Sequence, residues 1–589
     1  MPTAMSIPKW DLTPFFPSVG STEFATQFSA YATSIGDAER LWDRESVAGG
    51  GEKASASSVE SVLGTLNNLL EKERLFGCYL ECLVTTNSKD DEAAARMSEY
   101  EALGARLGKL QTRFALWVGG QDVDALVAES ATLAAHEYAL HKLKVRSRHL
   151  METRLESLVS DLRLSGSLAW VKLHSNLTSQ IMVAVDGEVM PMTAVRNLAC
   201  HPDRAKRASA YQAELAAWTE NEVAIAACLN GIKGEVNTLG KSRRWDSPLD
   251  EAIYNANIDR ATLDAMMTAA RESYPVFRRY LKTKARGLGI EKLAFHDLFA
   301  PVGAGAKEWP YEDGCTFVAE NFRKYSDKMG DFAERNFREN WIDAEPRNAK
   351  VGGAYCTSLR GDESRILMNY DPSYNSVGTL AHELGHGYHN LCLAGRRPLQ
   401  ADTPATMAET ASIFCETIVK EAALATVGEA DQLAILEACL QNQCQVVVDI
   451  SSRFLFEQSV FERRAARELS ATEFCQLMLD AQRQTYGDGL DERLLHPYMW
   501  AVKPHYYSTY SFYNFPYMFG LLFGLGLYAI YKQDPDGFRA RYDDLLSSTG
   551  LADAPTLAAK FGIDVRSVDF WRGSLAQIAA DVERFERLV

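Results

Sequence analysis

The sequence predicts a mainly α fold with a small β-sheet, and three observations carry that expectation. Apolar residues recur at three-and-four spacing over most of the chain, strand-like alternation is confined to two short stretches, and no repeat of fixed period interrupts the pattern. The first helical runs cover residues 58–84, 90–119 and 128–164. IMVAVDGEVMPM at 181–192 then alternates as a hairpin, with Asp186-Gly187 as a turn pair suited to positive φ. Helical patterns resume over 202–239, 259–287 and 311–337. GGAYCTSL (352–359) and SRILMNY (364–370) flank Gly361-Asp362-Glu363 as a second hairpin, before further helices over 376–393, 408–427 and 432–469.

At 589 residues the chain is longer than one hydrophobic core supports, so several subdomains are expected. A boundary near residue 200, where a hairpin ends and long helices resume, divides an N-terminal helical domain (1–200) from a second domain (201–589). Hydrophobic residues make up 47% and charged residues 24%, an ordinary globular composition that leaves disorder to the first few residues and the patch GGGEKASASS at 49–58.

A net charge of −16 argues against sequence-independent nucleic-acid binding, which needs a basic face. The basic cluster KSRRW (241–245) is too short to reverse this and reads as a solvated turn. Eleven scattered cysteines without CxxC pairs suit neither a disulfide framework nor a cysteine zinc site. Reduced, buried thiols and an opening MPTAMSIPKWDLTPFFPS without a charged leader and apolar run predict a cytoplasmic protein. The apolar run FPYMFGLLFGLGLYAIY at 515–531 reads as a buried core helix, since it falls short of the roughly 20 residues of a membrane span and has proline second.

The chemistry concentrates in TLAHELGHGYHN, residues 379–390. With Ser376 as cap and Gly395 just past the end, this is a helix whose apolar face is Val377, Leu380, Ala381, Leu384, Tyr388 and Leu391. His382 and His386 lie one turn apart beside that face, so both imidazoles can reach one metal ion. Glu383 is then placed to take a proton from water there without binding the ion itself. A metzincin would have Gly and His seven and ten residues after His382, but those positions hold His389 and Cys392. His389 is two turns from His382, about 10 Å along the axis, too far to share its ion. It reads either as a residue that supports the ligands from behind or lines a cleft, or as a solvated histidine.

The third ligand is expected downstream, on a helix starting at Thr403-Pro404. Glu409 would complete a His-His-Glu site with one position open, and Glu416, seven residues on, could orient a ligand histidine through its free ring N–H or stand exposed. Glu421 is a weaker competitor. A second cluster, KPHYYSTYSFYNFPYMFG at 503–520, is either an aromatic-rich core turn or a cleft lining. In the latter case His505, Tyr510 and Tyr517 donate hydrogen bonds to the oxyanion formed when water attacks an amide.

Together these residues resemble the thimet oligopeptidase and oligoendopeptidase F family of zinc metallopeptidases, closer to the oligoendopeptidase F branch. HELGHGYH (382–389), MAETASIFCE (407–416), GGAYC (352–356), ILMNY (366–370), HYYSTYSFYNFPY (505–517) and the opening WDLTPFFPS (10–18) carry the resemblance over most of the chain. It implies a two-lobed helical body with a deep substrate channel and a catalytic domain over 201–589. It also implies one Zn2+ held by His382, His386 and Glu409, with Glu383 as general base. His505, Tyr510 and Tyr517 match substrate or transition-state contacts, and Gly353, Ala354 and Tyr355 match the edge strand that aligns substrate by backbone pairing. Two departures stand out: the spacing from His386 to Glu409 is slightly short, and Asn514 falls where some relatives have a further tyrosine.

The function so implied is a zinc-dependent endopeptidase acting on internal bonds of short unfolded oligopeptides, with neither a nucleic-acid nor a membrane partner. Three alternatives remain at this level, one of them a membrane-anchored protein that rests only on the run at 515–531. A metallocarboxypeptidase on a similar scaffold would capture the substrate carboxylate with Arg396 or Arg397, and a non-catalytic peptide-binding protein would keep only the cleft.

Overall fold

The structure, a computed structural model, describes residues 7–48, 53–303 and 307–589. The disorder expected at the first residues and within 49–52 therefore concerns residues outside those described. The rest of that glycine-serine patch is ordered: Ser55 caps the helix Ala56–Thr86 by accepting from the Ser58 amide, and Ala54 donates to the Gln121 side chain (2.8 Å).

The chain is mainly α, and it divides into two compact units. The first combines Met1–Ser157, Glu308–Ala422 and Ile530–Leu557; the second combines Leu158–Lys307, Ala423–Ala529 and Ala558–Val589. The boundary expected near residue 200 falls inside the second unit, because the chain visits each unit three times.

In the first unit the helices Thr22–Arg44, Ala56–Thr86 and Asp91–Gly119 bury a cluster of aromatic rings. Phe16 stacks on Phe76 at 5.6 Å and meets Tyr79 edge-on at 4.9 Å, the geometries that ring quadrupoles favour. The continuous helix expected over 128–164 is instead Val123–Glu129, Ala131–Ala134, Glu137–Arg148 and Thr153–Arg163. Ser130 makes the first break, its hydroxyl accepting from the Leu133 amide, as serine does at a helix start rather than in its interior. Ser326 does the same within 311–337, separating Tyr311–Tyr325 from Asp327–Arg338.

The strands are few, as the sparse alternation predicts. β1 (Met182–Val185) and β2 (Glu188–Pro191) form the hairpin of the second unit, and Asp186 (φ 52°) and Gly187 (φ 89°) make its tight turn. In the first unit β3 (Ile342–Asp343), β4 (Tyr355–Arg360) and β5 (Glu363–Leu367) form a sheet in the order β3-β5-β4. β4 runs antiparallel to β5 with Tyr355 opposite Leu367, and β3 runs parallel to β5.

The second unit packs the long helices Arg204–Ser242, Arg260–Gly287 and Val568–Leu588. The run expected over 432–469 is Glu429–Cys444 and Ile450–Arg464, joined by one π turn at Gln445–Asp449. Residues Phe519 and Phe523 of the helix Phe515–Gln533 bury against Trp571 and Phe570, so the apolar run is core. Among the described residues no helix is long and apolar enough to cross a membrane. None of the eleven cysteines, all of them among the described residues, forms a disulfide, and only Cys200 is exposed.

Candidate metal centre

The histidine helix runs Tyr374–Leu393, and its cap is Ser373 rather than Ser376. The Ser373 hydroxyl accepts from the Ser376 amide at 3.3 Å, while the Ser376 hydroxyl is taken by the Asp371 carboxylate. Val377, Leu380, Ala381, Leu384 and Tyr388 are buried as the apolar face. His382 and His386 emerge beside it with ring centroids 4.9 Å apart.

The downstream segment differs from one continuous helix. Pro404 occupies the cap position of a four-residue helix, Ala405–Ala408, and a second helix covers Thr410–Leu424. Glu409 sits at the break (φ −83°, ψ 3°), its carbonyl accepting from the Ile413 amide at 3.2 Å. The break turns its side chain to the histidines. Glu409 Oε2 lies 3.2 Å from His382 Nε2 and 3.4 Å from His386 Nε2, and the Ser412 hydroxyl donates to that same oxygen at 2.6 Å. Glu416 Oε2 lies 3.1 Å from His382 Nδ1, on the opposite side of the ring. Among the described residues, His382, His386 and Glu409 are the one group whose ligand atoms lie within 4.8 Å of one another. Glu421 is outside it and pairs with Lys420 at 3.2 Å.

The donor set fits a divalent ion such as zinc. Two imidazole nitrogens and a carboxylate are its common ligands, and a bonded second ring nitrogen is their usual support. Burial opposes charge on His382, but Glu409 and Glu416 outweigh it and hold the imidazole well above its usual range. For Glu409 burial is likewise outweighed, by His382 and His386, and the carboxyl stays well below its usual range. The cluster is thus an electronegative pocket suited to a cation. Glu383 is 5% exposed, and its Oε2 is buried with no hydrogen-bond partner in the protein. Burial raises its pKa above the usual carboxylate value, partly offset by the two histidines.

One residue of the motif escaped the sequence reading. A Cβ on Gly385 would stand 2.6 Å from Ser412 Cα, 2.7 Å from the Ala411 oxygen and 2.9 Å from the Ser412 nitrogen. The histidine helix and the helix Thr410–Leu424, which follows Glu409, therefore touch backbone to backbone at Gly385, which lies between His382 and His386. The signal was available in the Gly of His-Glu-Leu-Gly-His, but its meaning depends on what packs opposite.

His389 is not solvated. It is buried, and its Nε2 lies 3.1 Å from the Leu546 carbonyl and 2.9 Å from Thr549 Oγ1, so it ties this helix to the segment after Asp543. Burial first, then the nearby His386, pushes its pKa down to about 4. Arg396 donates to the Ser547 carbonyl (2.9 Å) and Arg397 pairs with Glu71 (3.1 Å), so both guanidiniums already have partners. Tyr355 opens β4, an outer strand of its sheet, and its hydroxyl lies 2.7 Å from Thr85 Oγ1. Gly353 and Ala354 precede the strand; the Gly353 carbonyl accepts from Asn369 at 3.2 Å.

His505, Tyr510 and Tyr517 belong to the second unit, and the metal cluster to the first. Tyr510 is 70% exposed and Tyr517 40% exposed, while His505 is half-buried. Burial first, then Arg453 and Lys503, lowers the His505 pKa. Tyr513, which the sequence reading passed over, stacks on His505 (centroids 4.8 Å apart, planes at 14°), and its hydroxyl lies 3.0 Å from that of Tyr517. Asn514, at the departure noted in the sequence, is buried and accepts from Arg453 at 2.9 Å.

A mainly α fold holding two histidines and a glutamate around one point, with a buried carboxylate beside them, defines a candidate metal-centred enzyme. The sequence profile of peptidase family M3 matches residues 197–577; the chain belongs to that family and is a peptidase. It is similar to an oligoendopeptidase F homolog of Lactococcus lactis subsp. lactis, at 23% identity over 90% of this chain and 91% of the relative. Group B oligopeptidase PepB of Streptococcus agalactiae is 22% identical, covering 99% of this chain and 97% of its own. The crystal structure of oligoendopeptidase-F from Enterococcus faecium superposes with a TM-score of 0.70 at 17% identity, covering 96% of this chain and 98% of the other, which establishes the shared fold.

Proposed function

We propose that this peptidase is a zinc-dependent endopeptidase cleaving internal bonds of short, unfolded oligopeptides, with His382, His386 and Glu409 holding one ion and Glu383 acting as general base. The observation that carries this is the three-ligand cluster beside a buried Glu383 oxygen that has no partner within the protein. The relatives named oligoendopeptidase F and oligopeptidase support the oligopeptide substrate class. The absence of disulfides among the eleven cysteines supports a reducing, cytoplasmic setting.

When bound, zinc supplies Lewis acidity, which makes water acidic enough to lose a proton near neutral pH and polarises a substrate carbonyl. Glu383 takes that proton at its free carboxylate oxygen and later returns it to the leaving amine. Glu416 holds His382 by its Nδ1, which leaves Nε2 as the nitrogen that would hold the ion. The outer strand β4, beginning at Tyr355 after Gly353 and Ala354, aligns the extended substrate by backbone pairing. His505, Tyr510 and Tyr517 donate hydrogen bonds to the oxyanion, a task for which a phenol serves without carrying charge.

The test is digestion of a mixed peptide library by metal-loaded and chelated protein, with cut positions read by mass spectrometry and metal measured by elemental analysis. Internal cuts in short peptides, lost on chelation and restored by zinc, are expected. Glu383→Gln should retain one zinc per chain and lose turnover. Cuts that survive chelation, or full turnover in Glu383→Gln, would overturn the assignment.

A further inference from the structure

The segment carrying His505 and Tyr517 is held by alternating anchors, all within the second unit. Phe512 takes a left-handed backbone conformation (φ 53°), unusual for a bulky residue, and buries its ring 5.2 Å from Phe454 and 5.6 Å from Phe461. Asn514, two residues on, is also buried; its side-chain oxygen accepts from Arg453 Nη1 at 2.9 Å. Arg453 is itself fixed by Asp449, whose Oδ2 accepts from Nε at 2.8 Å. Asp449 closes the π turn Gln445–Asp449, a local distortion that re-aims the side chains of one helical turn. The Asn514 carbonyl accepts from the Tyr517 amide at 3.1 Å, so the same residue that Arg453 grips also starts the helix bearing Tyr517.

Tyr513 stands between these two anchors and projects outward. Its ring lies flat on His505, whose Nδ1 is buried without a hydrogen-bond partner, so the stack is what fixes the imidazole plane. Its hydroxyl meets that of Tyr517 at 3.0 Å. When Tyr517 donates its proton to a substrate oxygen, its own oxygen is left to accept from Tyr513, and such a chain strengthens each bond in it.

We propose that Tyr513 is a positioning residue that couples His505 to Tyr517, and that the Asp449–Arg453–Asn514 chain holds it in register. The proposal rests on the reading that His505 and Tyr517 contact substrate. In this protein Asn514 serves as the buried anchor, and the phenol beside Tyr517 comes from position 513.

The test is a double-mutant cycle on the zinc-loaded enzyme with a cleaved peptide. Tyr517→Phe should lower kcat by about a hundredfold, in the range of a lost oxyanion donor. Tyr513→Phe, which keeps the stack and removes only the hydroxyl, should lower kcat by about tenfold with KM within about twofold, as for a lost hydrogen bond felt in the transition state. The double variant should be no slower than Tyr517→Phe alone. Asn514→Ala should reproduce the Tyr513→Phe loss, and Asn514→Asp, which keeps the acceptor for Arg453, should recover most of it. A thermal melt on each variant separates lost positioning from lost folding. Wild-type kcat in Tyr513→Phe beside an impaired Tyr517→Phe overturns the proposal, and so does a tenfold loss of equal size in both backgrounds. Full activity in Tyr517→Phe removes the loop reading itself and the proposal with it.

Discussion

Replacing Gly385 by alanine adds one methyl group at the contact between the histidine helix and the helix Thr410–Leu424, next to the proposed ligand Glu409. The new Cβ would meet Ser412 Cα at 2.6 Å, the Ala411 oxygen at 2.7 Å and the Ser412 nitrogen at 2.9 Å, all backbone atoms that no rotamer change moves away. Relief to an ordinary contact of about 3.4 Å requires the helices to part by roughly 0.8 Å. Metal–ligand distances tolerate only about 0.2 Å. Glu409 lies on the far side of that contact from His382 and His386, so the separation falls on the ligand set itself. Alanine gains up to about 1 kcal/mol of helix propensity, and overpacking costs about 1–3 kcal/mol, so folding stability should fall by only about 0–2 kcal/mol. Zinc affinity should fall further, by about 10–100-fold, the range found when support for a ligand is lost. Competition with a chromophoric chelator measures the zinc dissociation constant, and thermal melts with and without zinc report stability. Gly378→Ala on the same helix is the control, because nothing lies within 4 Å of the Cβ it would gain. Wild-type zinc affinity in Gly385→Ala would refute the reasoning that this contact sets the ligand geometry.

Three further outcomes are expected. Ser412→Ala removes the hydroxyl that donates to Glu409 Oε2 and should weaken zinc binding about three- to tenfold, measured by the same competition. C-terminally amidated peptides should be cut at the same internal bonds and rates as free acids, and Arg396→Ala and Arg397→Ala should leave that unchanged, since both arginines pair within the protein. Acid stability should depend on Asp297. Burial alone would raise its pKa, but the Ala294 amide, Arg204, Arg207 and His296 outweigh it and hold it below its usual 3.8. A depressed carboxylate contributes stability that is complete above the unfolded value and is lost as the pH falls through the lower folded value. Urea midpoints should therefore drop below about pH 4. Asp297→Asn should flatten that drop and cost about 3–5 kcal/mol at neutral pH, because it strips a buried Arg207 of its charged partner.

The parts of the fold that were legible are those fixed by local periodicity. Residues 90–119 and 259–287 fold as Asp91–Gly119 and Arg260–Gly287, and Asp186-Gly187 makes the turn that its chemistry favours. The breaks at Ser130 and Ser326 were missed because an apolar period survives a one-residue interruption, while a serine hydroxyl ends the hydrogen-bond ladder. At the site, the types and spacing of His382, His386 and Glu409 were readable, and the structure brings them together. Their assembly was not readable, since the chain break at Glu409 and the close approach at Gly385 depend on tertiary packing. Tyr513 was hidden among neighbours of identical type. Its exposure, the stack on His505 and the contact with Tyr517 distinguish it from the buried Tyr506 and Tyr507.

On the proposed reading, Glu416 is a carboxylate that binds no ion and yet governs how one is held, through its contact with His382 Nδ1. His382 has two ring nitrogens on opposite sides, and Glu409 and Glu416 bracket them, Nε2 at 3.2 Å and Nδ1 at 3.1 Å. A neutral imidazole carries one proton, so a carboxylate on Nδ1 draws the proton there and leaves the Nε2 lone pair free for a metal. Charge and orientation contribute separately, and two substitutions divide them. Glu416→Gln keeps an oxygen that accepts from Nδ1 and removes only the charge, so zinc affinity should fall only a few-fold, the change from a charged to a neutral hydrogen bond. Glu416→Ala removes the acceptor, frees the other tautomer and lets the ring turn, and should weaken zinc by about 10–100-fold. Equal losses in the two variants would mean that charge alone matters and that the ring needs no orienting. A larger loss in alanine than in glutamine, with both apo proteins melting alike, assigns the tautomer of His382 to Glu416.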